Sequence, residues 1–463
     1  MTSQDHASSV PLVVASDHDD DPVDVDYSEL LGTDRLPPLR LPSPAELVDA
    51  ARDSPLLTAV RVLAQWVGEG RPVDEDTAQL SEADAAAAAR KLVERGLLPP
   101  SDDDARMREL MQLWELADAL GFVEVVDTTA VAGAAVDEWA EGDEDTVLGM
   151  WAQAFTSLCA WSLTFDAACL GVPELPLHGA GATVLPLFMA REKGVPLASL
   201  DEMIHETAAL DGSESEDASF EEAWRVWVDA YGRPARVLYE RLRWLGAVTI
   251  ADELVRLTPL GLFALWSEIE QEVDIPLLPP LEEMTAADVV AVTLLGSDEQ
   301  VEAEWDAWRS RRTATQAAAE LAAAASVGGP GERTAATTLL HRLGAEVDDV
   351  WWTLLDEPSL RPYAKRVLSE RHGDKPEFAL TDDDVAWLIA DMYCDVDVDD
   401  PPEGIGDLLA STMRRGEERV FDVLWRLEHP GTWEVLSVFG RHHPDKAVAK
   451  AARKAAFKVE SLR

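Results

Sequence analysis

From Ser43 onward the chain repeats one pattern. Apolar residues stand three or four apart, a glycine closes the run, and a short stretch of alternating apolar and polar residues follows. In "LPSPAELVDAARDSPLL", Ser43 is placed to cap a helix, Pro44 suits its first turn, and Leu47, Ala50 and Ala51 continue one face. "TAVRVLAQWVGEGRPV" predicts a second helix stopped by glycines. "MRELMQLWELADALGFVEVV" predicts a third, with Leu110, Leu113, Ala117 and Leu120 on one side, ending at Gly121 and entering a strand.

The same order returns further along, in "ATVLPLFMAREKGVPLASLDEMIHETAAL" and then, after the acidic insert "DGSESEDASFEE", in "RPARVLYERLRWLG" and "AVTI". Gly70 and Pro72 precede Gly194 and Pro196 by 124 residues, and Gly121 precedes Gly246 by 125. Three landmarks at nearly one spacing predict a duplicated unit. Around Gly246 the local signals agree with one another. The glycine permits a left-handed helix end, Val248 and Ile250 alternate as a half-buried strand does, and "ADE" turns the chain. Val255 and Leu257 return, and Thr258 with Pro259 opens a new helix. A helix followed by a two-stranded wing is the ending of a winged-helix module.

The fold class expected is therefore mainly α, with tandem winged-helix-like units carrying short two-stranded wings, followed by a HEAT-like helical domain. Residues 35–135 and 180–265 are the two units, and 136–179 and 266–327 are helical connectors. The Ala-rich run "ATQAAAELAAAASVGGPGERT" predicts a helix ending in a joint near Gly328–Gly331. Beyond it, "TLLHRLGAEVDDVWWTLLDEPSLRPYAKRVL" and "WEVLSVFGRHHPDKAVAKAARKAAF" each read as an apolar helix, a turn with Pro358 or Pro444, and a second helix. This resembles HEAT-type repeats and assigns 328–463 to a helical stack. Residues 1–34 hold nine acidic residues and no Lys or Arg, which predicts a disordered acidic tail.

"LPPLRLPSPAELVDAARDSPLL" followed by "LAQWVGEGRPV" resembles a segment of actinobacterial proteins without an assigned activity, some of which also carry a domain similar to the plasmid pRiA4b ORF-3 family. The resemblance spans residues 36–265, and "WVGEGRPV" is its clearest motif. No ORF-3-like stretch follows in this chain. The resemblance bears on architecture and implies no activity.

Charge narrows the classes of partner. Over 463 residues, 88 Asp and Glu oppose 39 Lys and Arg, a formal charge of −49. Duplex DNA and anionic membranes should repel such a chain, whereas a basic protein partner suits it. The 16 Trp fall within helix-spaced apolar runs and read as packing residues. Cys159, Cys169 and Cys394 form no CxxC spacing and are odd in number. With no signal-peptide pattern at the start and no apolar run of about 18 residues, they point to a reducing cytoplasm.

Two basic features are candidate contact sites. The first is the third helix of the second unit, with Arg233, Arg236, Arg241 and Arg243. Arg236 and Arg243 lie seven residues apart and share a face, although Asp252 and Glu253 stand in the adjoining wing where phosphates would lie. The corresponding helix and wing of the first unit hold Glu109, Glu115, Asp118, Glu124 and Asp127. The second feature is the last helix, where Lys446, Lys450, Arg453 and Lys454 form a stripe opposite Val448, Ala452, Ala455 and Val459.

Signatures of catalysis fall short. Gly179 and Gly181 lack the third glycine of a dinucleotide fingerprint, no GxxxxGK loop occurs, and His205-Glu206 has no following His at zinc-protease spacing. His442 and His443 are adjacent and face different ways. Asp395, Asp397 and Asp399 have calcium-loop spacing, but Asp400 replaces the required Gly, and Gly406 replaces the bidentate Glu. No catalytic, cofactor-binding or metal-binding residue is assigned, and no cofactor is expected. The function expected is a non-catalytic cytoplasmic adaptor or scaffold for protein partners, with a DNA-binding regulator using the second unit as the alternative.

Overall fold

The structure, a computed structural model, describes residues 27–98, 103–160, 172–212, 220–373 and 375–461. Helices dominate, with two small antiparallel sheets among the described residues. None of these helices is long and apolar enough to cross a membrane. The chain forms two compact units. One comprises the described residues up to Arg35 together with Leu41–Ile275, the other Leu36–Arg40 and Pro276 onward.

The first unit opens with α1 (Tyr27–Leu31) and α2 (Pro44–Arg52). Ser43 caps α2 as its sequence predicts, and Glu46 reaches back to the Ser43 N–H, so two donors are satisfied reciprocally. There follow α3 (Pro55–Val67), β1 (Arg71–Pro72), α4 (Glu82–Glu94), α5 (Asp103–Ala119), β2 (Val123–Val126) and β3 (Thr129–Ala132). After α6 (Ala135–Glu141), α7 (Glu144–Cys159) and a 3₁₀ segment at His178–Thr183, the order returns. It runs α8 (Val184–Met189), β4 (Val195–Pro196), α9 (Leu197–Gly212), α10 (Phe220–Tyr231), α11 (Pro234–Leu245), β5 (Val248–Ala251), β6 (Leu254–Leu257) and α12 (Pro259–Ile269).

The two sheets have the orders β1-β3-β2 and β4-β6-β5, and their registers correspond, with Arg71 opposite Ala130 and Val195 opposite Val255. Each sheet thus has three strands where the alternation predicts two. The added strands are only two residues long, too short to show a period. Each includes a proline, Pro72 or Pro196, and lies at an edge, where a missing N–H is tolerated. Among the described residues α10 has no counterpart in the first half.

In the first unit two expectations about boundaries change. Tyr27, within the stretch expected to be tail, is buried, and its N–H donates to Glu272 at 2.6 Å. Residues 1–26 lie outside the described residues. The stretch expected to be a connector, 136–179, supplies α7, whose Trp151, Phe155 and Leu158 are buried. The Trp151 indole donates to the Leu245 carbonyl at 3.3 Å, at the end of α11. α7 is core because Val147, Trp151, Ala154, Phe155 and Leu158 repeat at helical spacing.

In the second unit, Leu36–Arg40 is a strap. The Leu39 N–H donates to the Pro276 carbonyl at 2.9 Å, the Leu278 N–H donates back at 2.8 Å, and Arg40 pairs with Glu304 at 2.6 Å. The helices are α13 (Ala286–Leu295), α14 (Asp298–Arg309), α15 (Ala314–Val327), α16 (Pro330–Arg342), α17 (Asp348–Leu354), α18 (Arg361–His372), α19 (Asp382–Tyr393), α20 (Ile405–Thr412), α21 (Arg419–Leu424), α22 (Thr432–His442) and α23 (Lys446–Glu460). One core, built on Trp308, Leu321, Leu340, Trp351 and Leu368, runs straight through the joint expected at Gly328–Gly331. There α15 packs on α16, because Ala317, Ala318 and Ala325 leave room for close approach. A second core holds Leu409, Phe421, Leu436, Phe439 and Ala452. α19 serves both, offering Trp387 and Leu388 to the first and Ala386, Ile389 and Tyr393 to the second.

Both halves of the first unit place a glycine against a backbone carbonyl beside the hairpin. A Cβ at Gly133 would overlap the Gly121 oxygen, and one at Gly261 the Ala247 oxygen. Gly261→Ala and Gly133→Ala should each cost about 1–3 kcal/mol through overpacking. The readout is a lower urea midpoint, and an unchanged midpoint for both would contradict this packing.

Candidate functional site

α11 begins with Pro234 in its first turn and ends at Gly246, whose φ of +93° closes the helix. Its inner face, Ala235, Leu238, Tyr239, Leu242 and Leu245, is wholly buried. Arg241 belongs to that side. It is buried and pairs at 2.7 Å with Glu109 of α5. Burial lowers the pKa of its guanidinium, and Glu109 opposes the shift. Arg241 therefore joins the two halves of the unit and is withdrawn from any surface.

On the outer face Arg236 and Arg243 share Glu240, as the spacing of these two predicts, Arg233 stands at the N-cap, and each of the three meets a carboxylate. Arg233 donates to Asp201 at 2.7 Å. The Asp201 side chain is nearly fully buried and also accepts from the Ala235 N–H at 3.3 Å. Arg236 donates to both oxygens of Glu253 at 2.6 Å and to Glu240 at 3.4 Å. Arg243 donates to Glu240 at 2.6 Å. Glu253 reaches Arg236 from the β5–β6 turn, where Asp252 and Glu253 both hold positive φ, +51° and +59°. The hydrogen bond to Glu253 is the leading cause that raises the Arg236 pKa. Three arginines facing three carboxylates leave this face without net positive charge.

α23 differs. Lys446, Lys450, Arg453 and Lys454 are exposed, while Val448, Ala452 and Ala455 enter the second core and Val459 packs partly against it. Arg453 donates to the Gly440 carbonyl. Gly440 lies on α22 where a Cβ would press on the Arg453 side chain.

The strongest constellation escapes sequence reasoning. The Asp391 side chain is fully buried on α19 and accepts four hydrogen bonds. Two come from Arg333 of α16 at 2.8 and 2.7 Å, one from the Tyr363 hydroxyl of α18 at 2.8 Å and one from His429 Nε2 at 2.8 Å. His429 Nδ1 accepts from the Gly431 N–H at 3.1 Å, so the ring proton sits on Nε2 and the imidazole donates it to Asp391. Thr334 lies 2.9 Å from the Tyr363 oxygen. With the phenolic proton committed to Asp391, the Thr334 hydroxyl is the donor.

Burial alone would raise the Asp391 pKa, but hydrogen bonds from Arg333, then His429, and the Arg333 charge hold it below the usual carboxylate range. Tyr363 shifts upward, first by burial and then by the Asp391 charge. Nearby Cys394 is pushed up to about 12, again by burial first and then by Asp395. A carboxylate offers about four lone-pair sites, and here all are taken by the protein itself. The arrangement fixes elements in place and leaves no acceptor for a ligand. Its members lie 58, 28 and 38 residues from Asp391, so no local motif announces them. The available signal was one acid within the apolar run "WLIADMY".

The remaining candidates do not converge. Among the described residues, no group of three or more His, Cys, Asp and Glu side chains could hold a metal ion. Asp397 accepts the N–H groups of Asp399 and Asp400 instead. His442 and His443 bond the separate carbonyls of Val398 and Met413, and His205 sits 3.3 Å from Glu221. Cys159 is buried and its thiol pKa is raised, by burial first. Cys169 lies outside the described residues. No protein-family profile, curated protein or solved structure matches this chain.

Asp391→Asn should cost about 3–5 kcal/mol, because it leaves the buried Arg333 without its counter-charge. A carboxyl whose pKa is depressed by folding contributes stability above its unfolded value near about 3.9, and this is lost as pH falls through the folded value. The wild type should therefore lose stability more steeply than the variant below about pH 4 in acid titrations of the unfolding free energy. Parallel acid profiles with similar stabilities would contradict the assignment.

Proposed function

We propose that the protein is a non-catalytic adaptor of the cytoplasm, whose helical and winged-helix-like surfaces hold protein partners, basic ones foremost. Each half of the first unit runs helix, strand, helices and hairpin, with the first strand against the third. This order suits a winged-helix reading. The pairing of α15 with α16, α17 with α18 and α22 with α23 suits a HEAT-like stack. The resemblance to actinobacterial proteins of unassigned activity fits the same architecture.

A DNA-reading winged helix presents its third helix bare and basic. The observation that carries the adaptor reading is that Arg233, Arg236 and Arg243 are each held by Asp201, Glu253 or Glu240. A phosphate would have to displace these carboxylates while facing a chain of formal charge −49. The same charge draws in a basic partner and quickens its encounter. The saturation of Asp391 supports a structural use for the most elaborate polar cluster.

Fluorescence anisotropy with the full chain separates the readings. A labelled Lys/Arg-rich peptide should bind at low salt and dissociate as salt rises, while random duplex DNA should not bind. DNA binding with a steep salt slope, or no peptide binding, would favour a DNA-binding regulator that uses the second unit, or leave the adaptor reading without support.

A further inference from the structure

On the outer face of α23, Lys446, Lys450, Arg453 and Phe457 are separated by four, three and four residues, the spacing with which a helix offers a seam to another helix. Lys454 flanks this line. All five side chains are exposed, Phe457 by 70%, and the buried face of α23 lies on the opposite side. Although acidic residues outnumber basic ones by 88 to 39, Lys446, Lys450 and Lys454 have no ion pair or hydrogen bond among the described residues. Lys458, beside the stripe, instead pairs with Asp422 at 3.1 Å and lies over the Trp425 ring. Glu460, one turn beyond Phe457, is the only carboxylate that α23 carries.

We infer that this face docks an acidic amphipathic helix of a partner protein, its carboxylates against Lys446, Lys450 and Lys454 and an apolar side chain over Phe457. Charge complementarity carries the assignment. A helix with Glu at every fourth position supplies one charge per rise of about 6 Å, which matches the lysine steps. Duplex DNA brings roughly three to four charges over the same length, and the surplus would face an acidic chain. The exposed aromatic ring has no role against phosphates alone, whereas an amphipathic helix supplies an apolar neighbour. This surface does not depend on recruitment of a basic partner elsewhere.

The test uses the full chain and three labelled probes: a helical Glu/Ala/Leu peptide with Glu at four-residue spacing and a Leu stripe, its Gln counterpart, and a single-stranded oligothymidine. The Glu peptide should bind in a salt-sensitive way and more tightly than the other two. The double variant Lys450→Glu, Lys454→Glu should weaken it roughly tenfold or more. Phe457→Ser should weaken it roughly fivefold, with salt dependence unchanged. Both variants alter exposed side chains and should keep the wild-type unfolding midpoint, which shows that they fold. The inference is overturned if the Glu peptide fails to bind at low salt, if Glu and Gln peptides bind alike, or if the lysine variant binds as the wild type does. Tighter binding of oligothymidine would reassign the face to nucleic acid.

Discussion

One buried carboxylate organises the second unit. Asp391 stands on the helix shared by two apolar cores, and its partners come from α16, α18 and the loop before α22. Taking a carboxylate out of water is costly unless every lone pair is met, and here each is met. The geometry is correspondingly selective. Arg333 must lie in the plane of the carboxylate, and Gly431 must lie against the Cys394 Cβ, where a Cβ of its own would overlap. Hydrophobic burial holds each core together, and the Asp391 centre sets how one core meets the next.

The first unit obeys a different constraint. Its duplication places two similar helix–hairpin endings in one compact body, and α11 becomes an internal element through Arg241–Glu109 and the Trp151 bond to Leu245. What remains outside on α11 is a set of arginines already neutralised. The Arg236–Glu253 and Arg243–Glu240 pairs lie open to solvent and add little stability. Their consequence is to cancel the positive charge that a polyanion would seek. Lys446, Lys450 and Lys454 of α23 stand apart because the protein pairs them with no carboxylate among its described residues.

How much of this was legible in the sequence depends on whether a signal was local. Ser43 with Pro44, Gly246 and the Val248/Ile250 alternation are neighbours along the chain, and they form the cap, helix end and strand they predict. β1 and β4 were hidden because a two-residue edge strand has no periodicity, although their prolines were already landmarks of the repeat. The Gly328–Gly331 run looked like a joint because glycines end helices. Whether the flanking helices then pack together depends on the alanine face of α15 meeting α16, which composition alone does not reveal. The α11 arginines were found, but their partners Asp201 and Glu253 come from other elements. The Asp391 centre lay furthest from reach, since four residues from four segments meet only after folding.

Asp391 couples the two cores of the second unit into one cooperative body. Native-state hydrogen exchange in increasing denaturant measures this directly, by comparing amides of α15 and α16 with those of α22 and α23. In the wild type the opening free energies of both sets should converge on a single global value, and in Asp391→Asn they should separate. Two distinct values in the wild type, or convergence that survives the substitution, would contradict it.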